Sequence, residues 1–320
     1  MLRNRQREFS IVIAILAIAA VLALLAPAFF SVANLRDLVL ANVPVMMVAV
    51  GMALIVLTAE IDISVGSQFA IASVAAGAFA LMGLPTVAAV GLATLAGAVM
   101  GAINGVCVAW VRIPSIVMTL AAMVGLRDGL RWVTQGAWVQ GLPAGFHWFG
   151  MSQAASDAVL IACAVMIAVA AGWALGYLGA GRAVYATGSD ANAARLTGID
   201  PQLVVWTVFT ITGALTGLAA GLNAVRFEQI PSNAGLGLEL KVIAAVVVGG
   251  VAITGGRGTI LGAVLGVVLL GLIGPALTFL GFSAYWERAI EGGIILAAVS
   301  MDALSARWRR NADLVAAHHA

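Results

Sequence analysis

Lysine is nearly absent from this 320-residue chain: of 16 basic side chains one is lysine, Lys241. Charge of either sign is scarce, with 9% of residues charged against 62% hydrophobic, where soluble domains carry about a quarter charged. There are 2 cysteines and 3 histidines. Each shortage excludes something. The glycine-rich stretch Gly255 to Gly262 lacks the lysine that a phosphate-cradling P-loop needs after its final glycine, so the chain has no ATP site of that kind. Cys107 and Cys163 both fall inside apolar runs and read as packing residues rather than a disulfide or metal pair. His147, His318 and His319 show no metal-ligand spacing with any cysteine or carboxylate, and the last two belong to a tail over 312–320 expected to be disordered. No nucleophile, base and orienting residue can be grouped, so no catalytic role, cofactor or metal is expected, and no nucleic-acid partner.

What is present is apolar length. About twenty apolar residues cross a bilayer, and the sequence predicts an all-α, polytopic membrane bundle of about ten spans within a single domain, 1–311. The spans are Ser10 to Phe30, Leu38 to Thr58, Val65 to Met82, Thr86 to Val111, Ile113 to Leu130, Asp157 to Leu178, Pro201 to Val225, Leu240 to Thr254, Thr259 to Leu280 and Arg288 to Leu304. The third, fifth and eighth are short, glycine-rich or interrupted by Pro114, which leaves a broken or re-entrant segment open at each. Arg3, Arg5 and Arg7 before an apolar run ending Ala26-Pro27-Ala28 imitate a signal peptide. An uncleaved anchor is expected instead, because the run is long enough to span and Pro27 suits a cleavage site badly.

Orientation follows from where the cations fall. With the N-terminus inside, ten arginines lie on the inner side and six cations on the outer, most of the latter within two residues of a carboxylate, as in Arg36-Asp37, Arg127-Asp128, Glu239 and Lys241, and Glu287-Arg288. The expectation is N-in and C-in. If the first and sixth spans are set aside, two sets of four remain with opposite starting sides, which allows an inverted internal duplication. Glycines at four-residue spacing (97, 101, 105; 213, 217, 221; 258, 262, 266) predict close-packed helix seams.

One polar island interrupts the apolar chain. Between Gly181 and Asp200, Ser189 or Asp190 can cap a short helix through Leu196, Gly198 can close it in the left-handed conformation, and Asp200-Pro201 can start the next helix. Ala193, Leu196 and Ile199 form its apolar side, and Arg182, Asp190 and Arg195 its polar side. Such an ordered cytoplasmic helix reads as a docking surface for another protein. A second polar segment, Glu60 to Ser67, places two carboxylates and two hydroxyls between spans. Carboxylates at membrane depth mark function; at a solvated interface they would merely accompany Ser64 as a helix cap. Gly249 to Thr259 is a similar polar hinge. The outer loop Arg131 to Ser156 carries Trp132, Trp138, Gln140 and Trp148, which suit either a sugar-like contact or interfacial anchoring.

Five segments together resemble the membrane subunits of bacterial ATP-binding-cassette importers for sugars, of the ribose, rhamnose and autoinducer-2 type: Glu60 to Ser67, Ile113 to Val117, Gly181 to Gly188, Ala193 to Ile199, and Gly249 to Thr259. The resemblance implies a vitamin-B12-permease-like bundle forming half of a permease dimer, in the bacterial inner membrane, with a separate ATPase subunit and a periplasmic sugar-binding protein as partners. It implies that the coupling region to the ATPase comprises Arg182, Tyr185, Gly188, Ser189, Asp190, Arg195, Leu196, Gly198 and Ile199. Asp62, Ser64, Ser67 and Asn104 are the residues expected to line a path for a neutral, hydroxyl-rich solute, since no mid-span cation is predicted and hydroxyls and amides are. Glu60 and Lys241 depart from the family pattern. An ion-coupled carrier and a branched-chain amino acid permease are the alternatives.

Overall fold

A computed structural model describes residues 2–283, 285–290, 292–294 and 296. Among these residues the chain is helical, and one isolated antiparallel bridge pairs Val139 with Ile230. In order the helices are α1 (Leu2–Leu25), α2 (Val32–Leu57), α3 (Val65–Leu81), α4 (Thr86–Ala109), α5 (Ser115–Thr134), α6 (Gln153–Tyr177), α7 (Gly179–Ser189), α8 (Ala191–Leu196), α9 (Pro201–Ala224), α10 (Leu238–Val248) and α11 (Ile260–Phe279). Six of them, α1, α2, α4, α6, α9 and α11, are long and apolar enough to cross a membrane. The predicted span Arg288 to Leu304 lies largely outside the described residues, although 285–290 are helical.

From Val43 onward α2 is apolar on every side and is correspondingly the buried centre, with residues 47–57 all enclosed. α4 and α9 pack along the predicted glycine seams, which turn out to be two halves of one contact. A Cβ on Gly97 would strike the carbonyl of Gly213, and a Cβ on Gly213 would strike the carbonyl of Gly97. The backbones meet because neither helix has a side chain there. The third seam closes α10 on α11, through Gly262 against Gly249 and Gly266 against Ala245. α1 lies at the periphery and packs on α11, with the Phe29 and Phe279 rings edge to face at 5.4 Å.

Two helices, α3 and α10, are short and are preceded by non-helical chain. α10 has 11 residues, a length of about 16 Å, against roughly 30 Å of bilayer hydrocarbon. The sequence reading extended it to Thr254, but Gly250, at φ +88°, reverses the chain after Val248. The stretch before it, 226–237, is irregular; it pairs with Val139, accepts an Arg127 Nη1 hydrogen bond at the Ala234 carbonyl (2.9 Å), and brings Gly235 against Gly66. α3 is likewise preceded by a non-helical stretch, Glu60 to Asp62. The starts of α3 and α10 meet, with Gly66 against Gly235 and Glu239.

Candidate functional site

The island folds as two helices. In α8 the cap is Asp190 rather than Ser189: its carboxylate accepts from the amides of Asn192 (2.8 Å) and Ala193 (3.0 Å). Gly198, at φ +84°, closes the helix, with Ile199 N donating to Ala194 O at 3.1 Å. Asp200 then caps α9 through Gln202 N at 3.0 Å, with Pro201 in the first turn. Of the predicted apolar side, Leu196 is 90% exposed and Ala193 is exposed, while Ile199 is half-buried.

α7 joins the island to the bundle. Gly188 sits so close to the end of α2 that a Cβ there would land on the Leu57 carbonyl oxygen. That oxygen also accepts the Gly256 amide at 2.9 Å. Gly255 in turn faces the Gly188 carbonyl and Ala59. The Tyr185 hydroxyl donates to the Gly258 carbonyl at 2.8 Å, and burial raises the pKa of that phenol, which keeps the donor protonated. Three segments remote in sequence, 57–59, 185–189 and 255–258, thus share one end of the bundle. Arg182, Ser189 and Arg195 are exposed around this junction.

The second polar segment is enclosed. Asp62 is 0% exposed, which removes the solvated-interface reading for this carboxylate. Its Oδ1 accepts from the backbone amide of Ser64 (2.8 Å) and from the Ser64 hydroxyl (2.6 Å), and its Oδ2 from Gln68 Nε2 (3.1 Å). Gln68 Nε2 and Asn104 Nδ2 both donate to Ser64 Oγ, at 2.8 and 2.9 Å. The expected Ser64 side-chain cap on α3 is replaced by this network, since Ser64 makes no cap bond. Ser67 turns toward α5 and donates to the Met123 carbonyl at 2.8 Å. The structure thus brings Asp62, Ser64 and Asn104 into one cluster, with Ser67 one turn on. Gln68 was not singled out by spacing alone, although its position four residues after Ser64 puts both on one helix face.

At the end of the bundle away from the island, Arg36, Lys241 and Arg226 take partners far off in the sequence, whereas Arg131 keeps its neighbour Asp128 at 3.6 Å. Arg36 binds Asp157 of α6 through Nε at 2.6 Å and through Nη2. Lys241 pairs with Glu287 at 3.1 Å, and Arg226 Nη1 donates to the Leu40 carbonyl at 2.9 Å. At that same end a cavity of about 420 Å³ is lined by Ala80, Leu84, Pro85, Pro143 and Phe149. Of the aromatic residues between Arg131 and Ser156, Trp132 and Trp138 are exposed and Phe146 is buried.

Residues 34–299 match the family described as branched-chain amino acid transport system / permease component. The autoinducer 2 import system permease protein LsrC of Yersinia pseudotuberculosis serotype O:1b (strain IP 31758) is 34% identical over 299 residues, covering 93% of this chain and 85% of its own length. The LsrC proteins of Y. pseudotuberculosis serotype O:3 (strain YPIII) and of Yersinia pestis (strain Pestoides F) match with the same identity and coverage. No solved structure matches the chain.

Proposed function

The chain belongs to the branched-chain amino acid transport system / permease component family, and we propose that it is the permease subunit of an ATP-driven importer for a monosaccharide-class solute. Autoinducer-2, rhamnose and ribose-like molecules are the candidates, since the similar proteins are named as autoinducer-2 import permeases. The membrane is the bacterial inner membrane. In this reading the bundle has ten spans in the vitamin-B12-permease-like arrangement, both termini face the cytoplasm, and two permease subunits form the path. A separate nucleotide-binding subunit hydrolyses ATP, and a periplasmic binding protein delivers the solute. The ion-coupled alternative is not favoured, because the relatives are import-system permeases.

One observation carries the proposal: the island is rigid, exposes Leu196, and rests through Gly188 on the Leu57 carbonyl. A partner that moves α7 must therefore move the end of α2 and the 255–258 turn together. Arg182, Tyr185, Gly188, Ser189, Asp190, Arg195, Leu196, Gly198 and Ile199 form that ATPase-coupling region, with Gly188 and Tyr185 on its inner side against the bundle. Asp62, Ser64, Ser67 and Asn104 belong to the solute path, where the α3 start would part from α4 and α5 during alternating access.

The test is uptake into proteoliposomes holding the permease with its ATPase and binding protein, with labelled autoinducer-2, rhamnose, ribose and branched-chain amino acids. ATP-dependent uptake of one of the sugars is expected. Uptake of the amino acids alone would move the solute class, and uptake without ATP under an ion gradient would overturn the importer assignment.

A further inference from the structure

Glu239 belongs to neither the island nor the Asp62 cluster. It lies in the first turn of α10 and is 9% exposed. Its Oε2 is buried with no hydrogen-bond donor. A carboxylate oxygen taken out of water without a donor costs free energy of a size that structural residues ordinarily avoid by pairing. Space for the group is made deliberately: a Cβ on Gly66, at the start of α3, would collide with that oxygen and with the Gly235 carbonyl. Arg127 of α5 is 8% exposed and lies within electrostatic reach of Glu239, yet it gives its Nη1 hydrogen to the Ala234 carbonyl at 2.9 Å. Arg127 and Glu239 are therefore neighbours of opposite charge without a direct salt bridge. Leu236 and Leu240, close to Glu239 in the chain, are both exposed, while Glu239 itself is buried.

We propose that Glu239, with Arg127 beside it, is a solute-recognition site for vicinal hydroxyls where the starts of α3 and α10 meet. A carboxylate accepts two O–H hydrogens from adjacent carbons of a polyol, and a guanidinium donates to a third oxygen. The nearby positive charge of Arg127 disfavours a metal cation, and Glu239 disfavours an anion, which leaves a net-neutral solute; among net-neutral solutes the sugar-importer reading selects a hydroxyl-bearing one over a zwitterionic amino acid. The packing seen here leaves Oε2 unpaired, so a solute hydroxyl reaching it gains a charge-assisted hydrogen bond without displacing a donor already there. This inference rests on the sugar-importer reading and adds a second recognition group to the Asp62 cluster, on the α10 side.

The experiment is ATP-driven uptake of D-ribose and of 2-deoxy-D-ribose by the full reconstituted transporter, wild type and Glu239→Gln, with the same binding protein so that its own selectivity cancels. Losing a hydrogen bond to a charged group should lower the ribose to deoxyribose ratio of uptake efficiency by about tenfold. Gly66→Ala, which displaces the carboxylate without removing it, should lower the same ratio. Where the wild type takes up another sugar and neither pentose, that sugar and its deoxy analogue replace the pair in the same ratio; an unchanged ratio in both variants overturns the inference while leaving the importer reading intact, whereas wild-type protein that takes up no sugar sinks the importer's solute class instead. If neither variant inserts into the membrane, Glu239 is a structural tie and the inference also falls.

Discussion

The Leu57 carbonyl oxygen occupies the place that a side chain on Gly188 would need, and the same oxygen accepts the Gly256 amide at 2.9 Å. One acceptor thereby ties the last residue of α2 to the island and to the turn ahead of α11. A rigid tie of this kind transmits displacement, because three backbones in contact have no soft side chain between them.

Gly188→Ala tests that tie. The added methyl must push α7 off α2, an overpacking cost of about 1–3 kcal/mol. ATP-driven uptake should fall by about tenfold or more, as 1.4 kcal/mol corresponds to a factor of ten. Uptake at wild-type rate, measured in proteoliposomes at equal protein density, would show that the contact is not used.

Gly198→Val tests the island's geometry, since a β-branched residue resists the φ of +84° found there. The strain is about 1–3 kcal/mol and falls on α8 alone, so the protein should insert normally and lose transport. Arg195→Glu, at an exposed position, should abolish transport through charge rather than backbone. Co-purification of the ATPase subunit with each variant provides the readout, and full retention of both subunit binding and uptake would refute the docking assignment.

Orientation can be read by single-cysteine labelling after Cys107 and Cys163 are replaced. Ser189 and Gln140 are both exposed and lie at opposite ends of the bundle. A cysteine at Gln140 should react with an impermeant maleimide in intact cells and one at Ser189 only after lysis. The reverse pattern would invert the topology and remove the island from the cytoplasm.

The Lys241–Glu287 pair at 3.1 Å is half-buried on both sides, with side-chain exposures of 26% and 27%. Lys241→Glu leaves two like charges together and should cost about 1 kcal/mol or more, between the values of exposed and buried pairs. The double exchange Lys241→Glu with Glu287→Lys should recover most of it. Thermal unfolding in detergent measures both, and equal destabilisation by the single and double variants would mean that the pair contributes packing rather than charge.

Composition and local pattern settled much of this protein. Scarce charge and long apolar runs dictate a membrane bundle, four-residue glycine spacing dictates close-packed seams, and the punctuation at Asp190, Gly198 and Asp200 lies where the residues themselves make the caps. These features need only neighbours in sequence, so they are legible there. The tertiary structure decided the rest. Arg36 takes Asp157 instead of Asp37, Lys241 takes Glu287 instead of Glu239, and Asp62 is sealed among Ser64, Gln68 and Asn104. The α3 start meets the α10 start at Gly66 and Glu239. No local signal encodes these pairings. Spans that are apolar on every side carry almost no periodicity to say which face meets which helix, and a buried charge finds its partner only once packing has fixed the distance between helices far apart in the chain.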